Sequence, residues 1–220
     1  MSIKLSGPML PPASGLAPKQ AVVLLHGYGS DGADLIGLAP ALQQVLPDAL
    51  FLSPNAPEPS RHMGSGFQWF DIDFEGDRLA SRQMGVIKAR AVLVEFLEDL
   101  WTQTGLMPEQ TILAGFSQGA MMALHTGLSL SRPLMGVIAF SGAFVPPEGL
   151  EQGVFAKPPV CLVHGDLDGV VDPQFSADAA SLLELSSYAV SYHVSRGTGH
   201  GIAPDGLEFA GRFIAKIANN

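Results

Sequence analysis

Ser117 stands in "GFSQGA", two residues after Gly115 and two before Gly119. A serine hydroxyl is a weak nucleophile. It becomes a strong one when a base takes its proton and N–H groups receive the charge that builds on an attacked carbonyl. The G-x-S-x-G spacing meets a steric condition for that chemistry. Where a strand turns sharply into a helix, the residues two before and two after the turn crowd each other, and glycine at both places relieves the crowding. Such a turn lifts the hydroxyl above the sheet and aims a helix N-terminus at it. A serine that merely caps a helix is the plainer reading of the same pentapeptide. The other parts of the machinery decide between them.

The base comes from six histidines. His193 lies inside an alternating strand and reads as a strand surface residue. His125 falls within the helix after Ser117 and reads as structural, and His62 sits in an irregular loop. His26 and His164 each end a strand before a glycine and read as loop-orienting residues. His200 differs. It lies in "RGTGHGIAPDG" after the last strand, between Gly199 and Gly201, where a loop can carry an imidazole over the serine.

The acid comes from "HGDLDGVVDP". Asp172 precedes Pro173 and reads as a helix cap followed by a first-turn proline. Asp166 closes the strand and reads as a brace for the turn. Asp168 is free of a capping task. The chain order Ser, Asp, His is the order of this triad in α/β-hydrolases. An oxyanion hole needs two N–H donors. Gln118, the residue after the nucleophile, offers one, and the early loop "LLHGYGSDG" offers the other. Gly27 and Gly29 let the Tyr28 backbone turn toward the site.

The elements that must position these residues are legible as alternation. Apolar strand runs occur at Ala21–Gly27, Ala49–Pro54, Gln110–Phe116, Leu134–Gly142, Val160–Asp166 and Tyr188–Ser195. Helical patterns occupy Ala33–Leu46 (interrupted by Pro40), Arg78–Thr104, Gln118–Leu130, Pro173–Ser186 and Leu207–Ala218. In the longest, Ile87, Ala91, Val94, Leu97 and Trp101 fall on one predicted buried face. In the last strand Tyr188, Val190, Tyr192 and Val194 share a face. Residues 55–77 and 145–158 read as loops. The first fifteen residues add an antiparallel edge strand. Strand–helix alternation predicts a mostly parallel sheet covered on both faces, with its site at the carboxyl ends of the strands.

Composition narrows the function classes. The 220 residues suit a single domain over 1–220, with 47% hydrophobic and 15% charged residues. A net charge of −9 argues against nucleic acid and anionic membrane as partners. Cys161 is the one cysteine, set in the apolar "PPVCLVHG", and reads as a core residue. No stretch has the length of a signal peptide or a membrane span, so a cytoplasmic protein without a stable membrane anchor is expected. No cysteine–histidine cluster calls for a metal.

With these pieces together, the chain resembles the carboxylesterase/acyl-protein thioesterase/lysophospholipase family of small α/β-hydrolases. The likeness runs from about Val22 to the end, through "LLHGYGSDG", "QWFDI", "GFSQGA", "HGDLDGVVD" and "GTGHGI". It implies an α/β-hydrolase fold without a large lid domain, a triad of Ser117, Asp168 and His200, and an oxyanion hole of the Tyr28 and Gln118 amides. It implies hydrolysis of a small-molecule acyl ester, with no cofactor and no metal, and leaves room for a homodimer. Many relatives have leucine where this chain has Tyr28, which narrows the acyl pocket. The relatives' "QWFDI" segment borders the substrate site, so Trp69 and Phe70 are expected substrate contacts, with loop anchoring as their other reading. Two alternatives remain. A dienelactone-hydrolase-like enzyme would use a cysteine nucleophile, and a non-catalytic ligand-binding module would keep the fold alone.

Overall fold

The structure, a computed structural model, describes residues 4–62, 64–72 and 78–219. In chain order the elements are β1 (Met9–Leu10), β2 (Gln20–Leu25), α1 (Gly32–Leu35), α2 (Ala39–Leu42), β3 (Ala49–Leu52), β4 (Glu58–Pro59) and β5 (Phe67–Gln68). There follow α3 (Arg78–Thr104), β6 (Thr111–Phe116), α4 (Gln118–Gly127), β7 (Gly136–Phe140) and β8 (Val160–Gly165). The chain closes with α5 (Gln174–Leu185), β9 (Val190–Ser195) and α6 (Pro204–Ala218).

A seven-stranded sheet in the order β1-β3-β2-β6-β7-β8-β9 forms the centre. Its strands are parallel except β1, which runs antiparallel to β3 with Met9 opposite Leu52, the expected edge strand. Successive residues of a strand point to opposite faces. Ala21, Val23 and Leu25 therefore pack with α3, α4 and α5, while Val22 and Leu24 pack with α1, α2 and α6. Both faces are covered, which is why β2, β6, β7 and β8 are apolar almost throughout.

Several sequence expectations are corrected. The single helix expected over Ala33–Leu46 is α1, a 3₁₀ turn at Ile36–Leu38 and α2. Pro40 lies in the first turn of α2, where a missing N–H breaks no helical bond. The stretch 55–77, expected to be irregular, holds the β4–β5 hairpin, with Glu58 opposite Gln68. Met63 and residues 73–77 of that stretch lie outside the described residues. On α3 the buried row is Val86, Ala89, Leu93, Leu97 and Leu100, whereas Ile87 is 62% exposed. The contact at Gly85 accounts for the rotation: a Cβ there would stand 2.5 Å from the Phe70 ring, so this residue must face the protein interior. α4 stops at Gly127, short of Leu130, and α6 begins a turn before Leu207 with Pro204 in its first turn. The expected Tyr188–Val194 face is buried at Tyr188 but open at Tyr192 and Val194, because β9 is the sheet's far edge.

Candidate active site

β6 ends at Phe116 and α4 begins at Gln118, leaving Ser117 as the whole turn. Its backbone has φ 54° and ψ −114°, a region where non-glycine residues are strained. The strain is sustained by neighbours. Ser117 N donates to Phe140 O of β7 at 2.9 Å, and Ser117 O accepts from Met121 N at 3.1 Å. Gly115 meets the crowding expected across the turn, whereas Gly119 is crowded by the neighbouring strand β2. A Cβ on Gly115 would stand 2.2 Å from Gly119 O, and one on Gly119 would stand 2.0 Å from Leu25 O.

The structure brings Ser117, His200 and Asp168 together from positions far apart in the chain. Ser117 Oγ lies 3.0 Å from His200 Nε2, and His200 Nδ1 lies 2.7 Å from Asp168 Oδ2. A carboxylate oxygen only accepts, so Nδ1 carries the hydrogen and Nε2 is left to take the serine's proton. The Asp168 side chain has no exposed surface, while that of His200 is 19% exposed. The acid is dry and the base reaches solvent. Burial alone would raise the Asp168 carboxyl. Hydrogen bonds from His200 and from the Val171 and Val170 amides outweigh it and hold the group below the usual carboxylate range. The Phe116 ring lies against the imidazole, with centroids 4.8 Å apart.

The neighbouring aspartates hold other backbone amides, with two shifts from expectation: the cap position of α5 is Pro173, one residue after Asp172, and Asp166 braces the loop after β9, not its own turn. Asp166 Oδ1 accepts from Gly197 N at 2.6 Å and so braces the loop that carries His200. Asp172 Oδ1 accepts from Gln174 N at 2.9 Å at the start of α5. Cys161 is buried in β8 with its thiol pushed up to about 12 by burial, which removes it as a nucleophile.

The early loop abuts Ser117: a Cβ on Gly27 would stand 3.4 Å from Ser117 Cβ. Tyr28 follows it. The loop is pinned by Gly29 N donating to Phe67 O at 2.9 Å and Phe67 N donating to Ser30 O at 2.7 Å. His26 is fully buried. Its Nε2 accepts from Ala56 N at 2.9 Å, so the hydrogen is on Nδ1, which donates to Gly27 O at 2.8 Å. Burial holds this imidazole below its ordinary value. The Gln118 amide is the first of α4 and has no partner within the helix ladder.

Trp69 and Phe70 are almost fully buried. Trp69 Nε1 donates to His26 O at 3.0 Å, and Phe70 packs on Gly85. Both line a cavity of about 680 Å³ against α3. The cavity beside His200, about 260 Å³, is walled instead by Leu35, Leu38, Phe116 and Ile202, with Asp34 also in its lining. The sequence reading missed these wall residues, since ordinary apolar helix and strand patterns mark them no further. It also missed the Gln118 side chain. Its Oε1 accepts from Trp69 N at 2.9 Å and its Nε2 donates to Phe70 O at 2.8 Å, which clamps the "QWF" segment to the helix behind the nucleophile.

Among the described residues no group of His, Cys, Asp or Glu has the makings of a metal site, and no helix is long and apolar enough to cross a membrane.

A family model described as Phospholipase/Carboxylesterase matches residues 13–218. The chain is similar to acyl-protein thioesterase 1 of Saccharomyces cerevisiae, 34% identical over 212 residues that cover 90% of this chain and 92% of that protein. It is similar to esterase YpfH of Escherichia coli, 28% identical over 87% of this chain and 80% of the other. Among solved structures, the crystal structure of esterase PE8 superposes with a TM-score of 0.93 at 52% identity, covering 98% of this chain and 100% of that one.

Proposed function

The chain belongs to the phospholipase/carboxylesterase family, and on that premise we propose that it hydrolyses carboxylic esters and thioesters through an acyl-enzyme on Ser117. The observation that carries this reading is the unbroken chain from Ser117 Oγ through His200 to a dry, ionised Asp168, mounted on a strained elbow. Strain of that kind persists where the surroundings impose it, and it clusters at functional sites.

His200 Nε2 takes the Ser117 proton as Oγ bonds to the carbonyl carbon. The resulting oxyanion is received by the Gln118 and Tyr28 amides, at the positive end of α4. Collapse expels the alcohol or thiol, which leaves with the proton from His200. Water then attacks the acyl-enzyme, gives its proton to Nε2, and releases the acid and the free serine. Asp168 stays a carboxylate throughout and stabilises the imidazolium.

The leaving group must come within reach of His200 Nε2, and we take the apolar cavity that His200 helps to line as its place. Leu35, Leu38, Phe116 and Ile202 suit an apolar alcohol or thiol, and Asp34 in the lining disfavours an anionic one. Trp69 and Phe70 then act mainly by anchoring the loop beside Tyr28. The acyl chain in this reading is short to medium, with the aromatic segment around Trp69 as its apolar wall.

A fluorophosphonate tests the chemistry. Intact mass should rise by one adduct, peptide mapping should place it on Ser117, and Ser117→Ala should stay unlabelled. A folded Ser117→Ala protein that hydrolyses activated esters at the parent rate overturns the mechanism. A panel of esters with a fixed acetyl group and apolar, neutral polar or anionic alcohols tests the leaving-group assignment, with the anionic member expected to have the lowest kcat/KM.

A further inference from the structure

His164 is fully buried at the end of β8 and takes no part in the steps above. Its Nε2 faces two oxygens: Val171 O at 3.0 Å and Asp168 Oδ2 at 3.2 Å. The carbonyl only accepts, and the carboxylate, held ionised, only accepts as well. Nε2 must therefore carry a hydrogen, shared between them. Nδ1 lies 2.7 Å from Ser176 Oγ, a hydroxyl able to donate to it.

These contacts close a ring around the triad acid. Asp168 Oδ1 accepts from Val171 N at 2.9 Å and from Val170 N at 2.8 Å. The same Val171 offers its carbonyl to His164, and His164 returns to Asp168 through Oδ2. Both carboxylate oxygens belong to the ring, so the carboxylate cannot turn about its own axis without breaking a bond at each end. His200 Nδ1 takes the outward side of Oδ2, and His164 takes the inward side.

We propose that His164 is a positioning residue of the hydrolytic reaction, a second imidazole that fixes the Asp168 carboxylate and the 168–171 loop so that His200 stays aligned on Ser117. This rests on the triad reading given above. Its reach is confined to the reacting groups, because a fully buried ring makes no contact with substrate. Ser176 fixes the ring from behind, with its hydroxyl also within 3.4 Å of Gly142 O in the loop after β7. Loss of His164 leaves Val171 O and one lone pair of Asp168 without a donor in a dry site, a costly state.

The test compares His164→Leu, which removes the donor, with His164→Gln, whose amide nitrogen reaches the former Nε2 position. Each preparation is normalised by fluorophosphonate titration of Ser117. Hydrogen bonds to charged groups are strong enough that kcat should fall about 10- to 100-fold in His164→Leu with KM nearly unchanged, and His164→Gln should recover part of the loss. An unchanged kcat per titrated site in His164→Leu, or a loss carried wholly by KM, overturns the proposal. Should His164→Leu fail to fold, ¹⁵N NMR of the histidines in the unaltered protein decides. A hydrogen on His164 Nε2 at neutral pH supports it, and a bare Nε2 overturns it. Failure of the unaltered protein to label at Ser117 is a different result: it overturns the triad reading itself.

Discussion

Asp168→Asn is the substitution whose consequence follows most directly from the hydrogen bonds. Asparagine keeps the volume of aspartate but has one oxygen and one NH₂. Oδ1 of Asp168 accepts from two backbone amides, at Val170 and Val171, so the asparagine oxygen must take that place. Its NH₂ then occupies the Oδ2 position, 2.7 Å from His200 Nδ1 and 3.2 Å from His164 Nε2. Facing a donor, His200 Nδ1 must become an acceptor, and the imidazole hydrogen moves to Nε2. That nitrogen then points a hydrogen at Ser117 Oγ and cannot take its proton. The imidazolium also loses its counter-charge. Together these effects cost about 10³- to 10⁴-fold in kcat. The NH₂ also meets the His164 N–H, a buried donor against a donor, at about 1–3 kcal/mol of stability. In a chain of this size each kcal/mol moves Tm by about 2–4 °C. Steady-state hydrolysis of an activated acetate ester and a thermal melt measure the two effects. Asp172→Asn is the control, since asparagine caps a helix as well as aspartate does, and its kcat should match the parent. Asp168→Asn retaining more than about a tenth of the parent kcat would refute the tautomer argument.

Ser117→Gly should abolish hydrolysis yet leave Tm level or up to about 2 °C higher, because relief of about 1 kcal/mol of strain at positive φ is mostly offset by glycine's entropic cost of about 0.5–1 kcal/mol; a fall of more than about 4 °C would count against a strained elbow. His26 and His125 are buried, and burial lowers both below the ordinary value of about 6.5. The unfolded chain therefore binds protons that the folded one refuses. Their contribution is complete above about pH 6.5 and is lost as pH falls below it, at up to about 1.4 kcal/mol per pH unit for each. Urea midpoints measured from pH 7.5 to 5 should decline accordingly, and a flat series would count against the buried neutral rings. Gln118→Leu should cost about 2–4 kcal/mol in urea unfolding by stripping Trp69 N and Phe70 O of their partners, while the backbone amide at 118 remains.

The parts of this site legible in the sequence are those whose constraint is local. Gly115 is crowded by the Gly119 carbonyl across one turn, so that half of the spacing around Ser117 is a statement about a few bonds, whereas Gly119 is crowded by the Leu25 carbonyl of β2, far away in the chain. The loop bearing His200 and the aspartate choices follow from position after a strand or before a helix. Asp172 announces its capping role through Pro173, and Asp168 is identified largely by having no such role. The buried row of α3 was not legible for the opposite reason. The expected and observed rows share Leu97, and the rotation is tied to Gly85 meeting Phe70, a contact outside the helix. The clamp between Gln118 and Trp69 joins residues 49 apart in the chain. Nothing in the pentapeptide distinguishes a glutamine that offers only its amide from one whose side chain also holds a loop. The proposed mechanism asks both of Gln118: its N–H faces the oxyanion, and its side chain holds the segment beside Tyr28. In that mechanism the Gln118 donor is tied, through Trp69, Phe70 and the pairing of Phe67 with Gly29 and Ser30, to the loop that carries the Tyr28 donor.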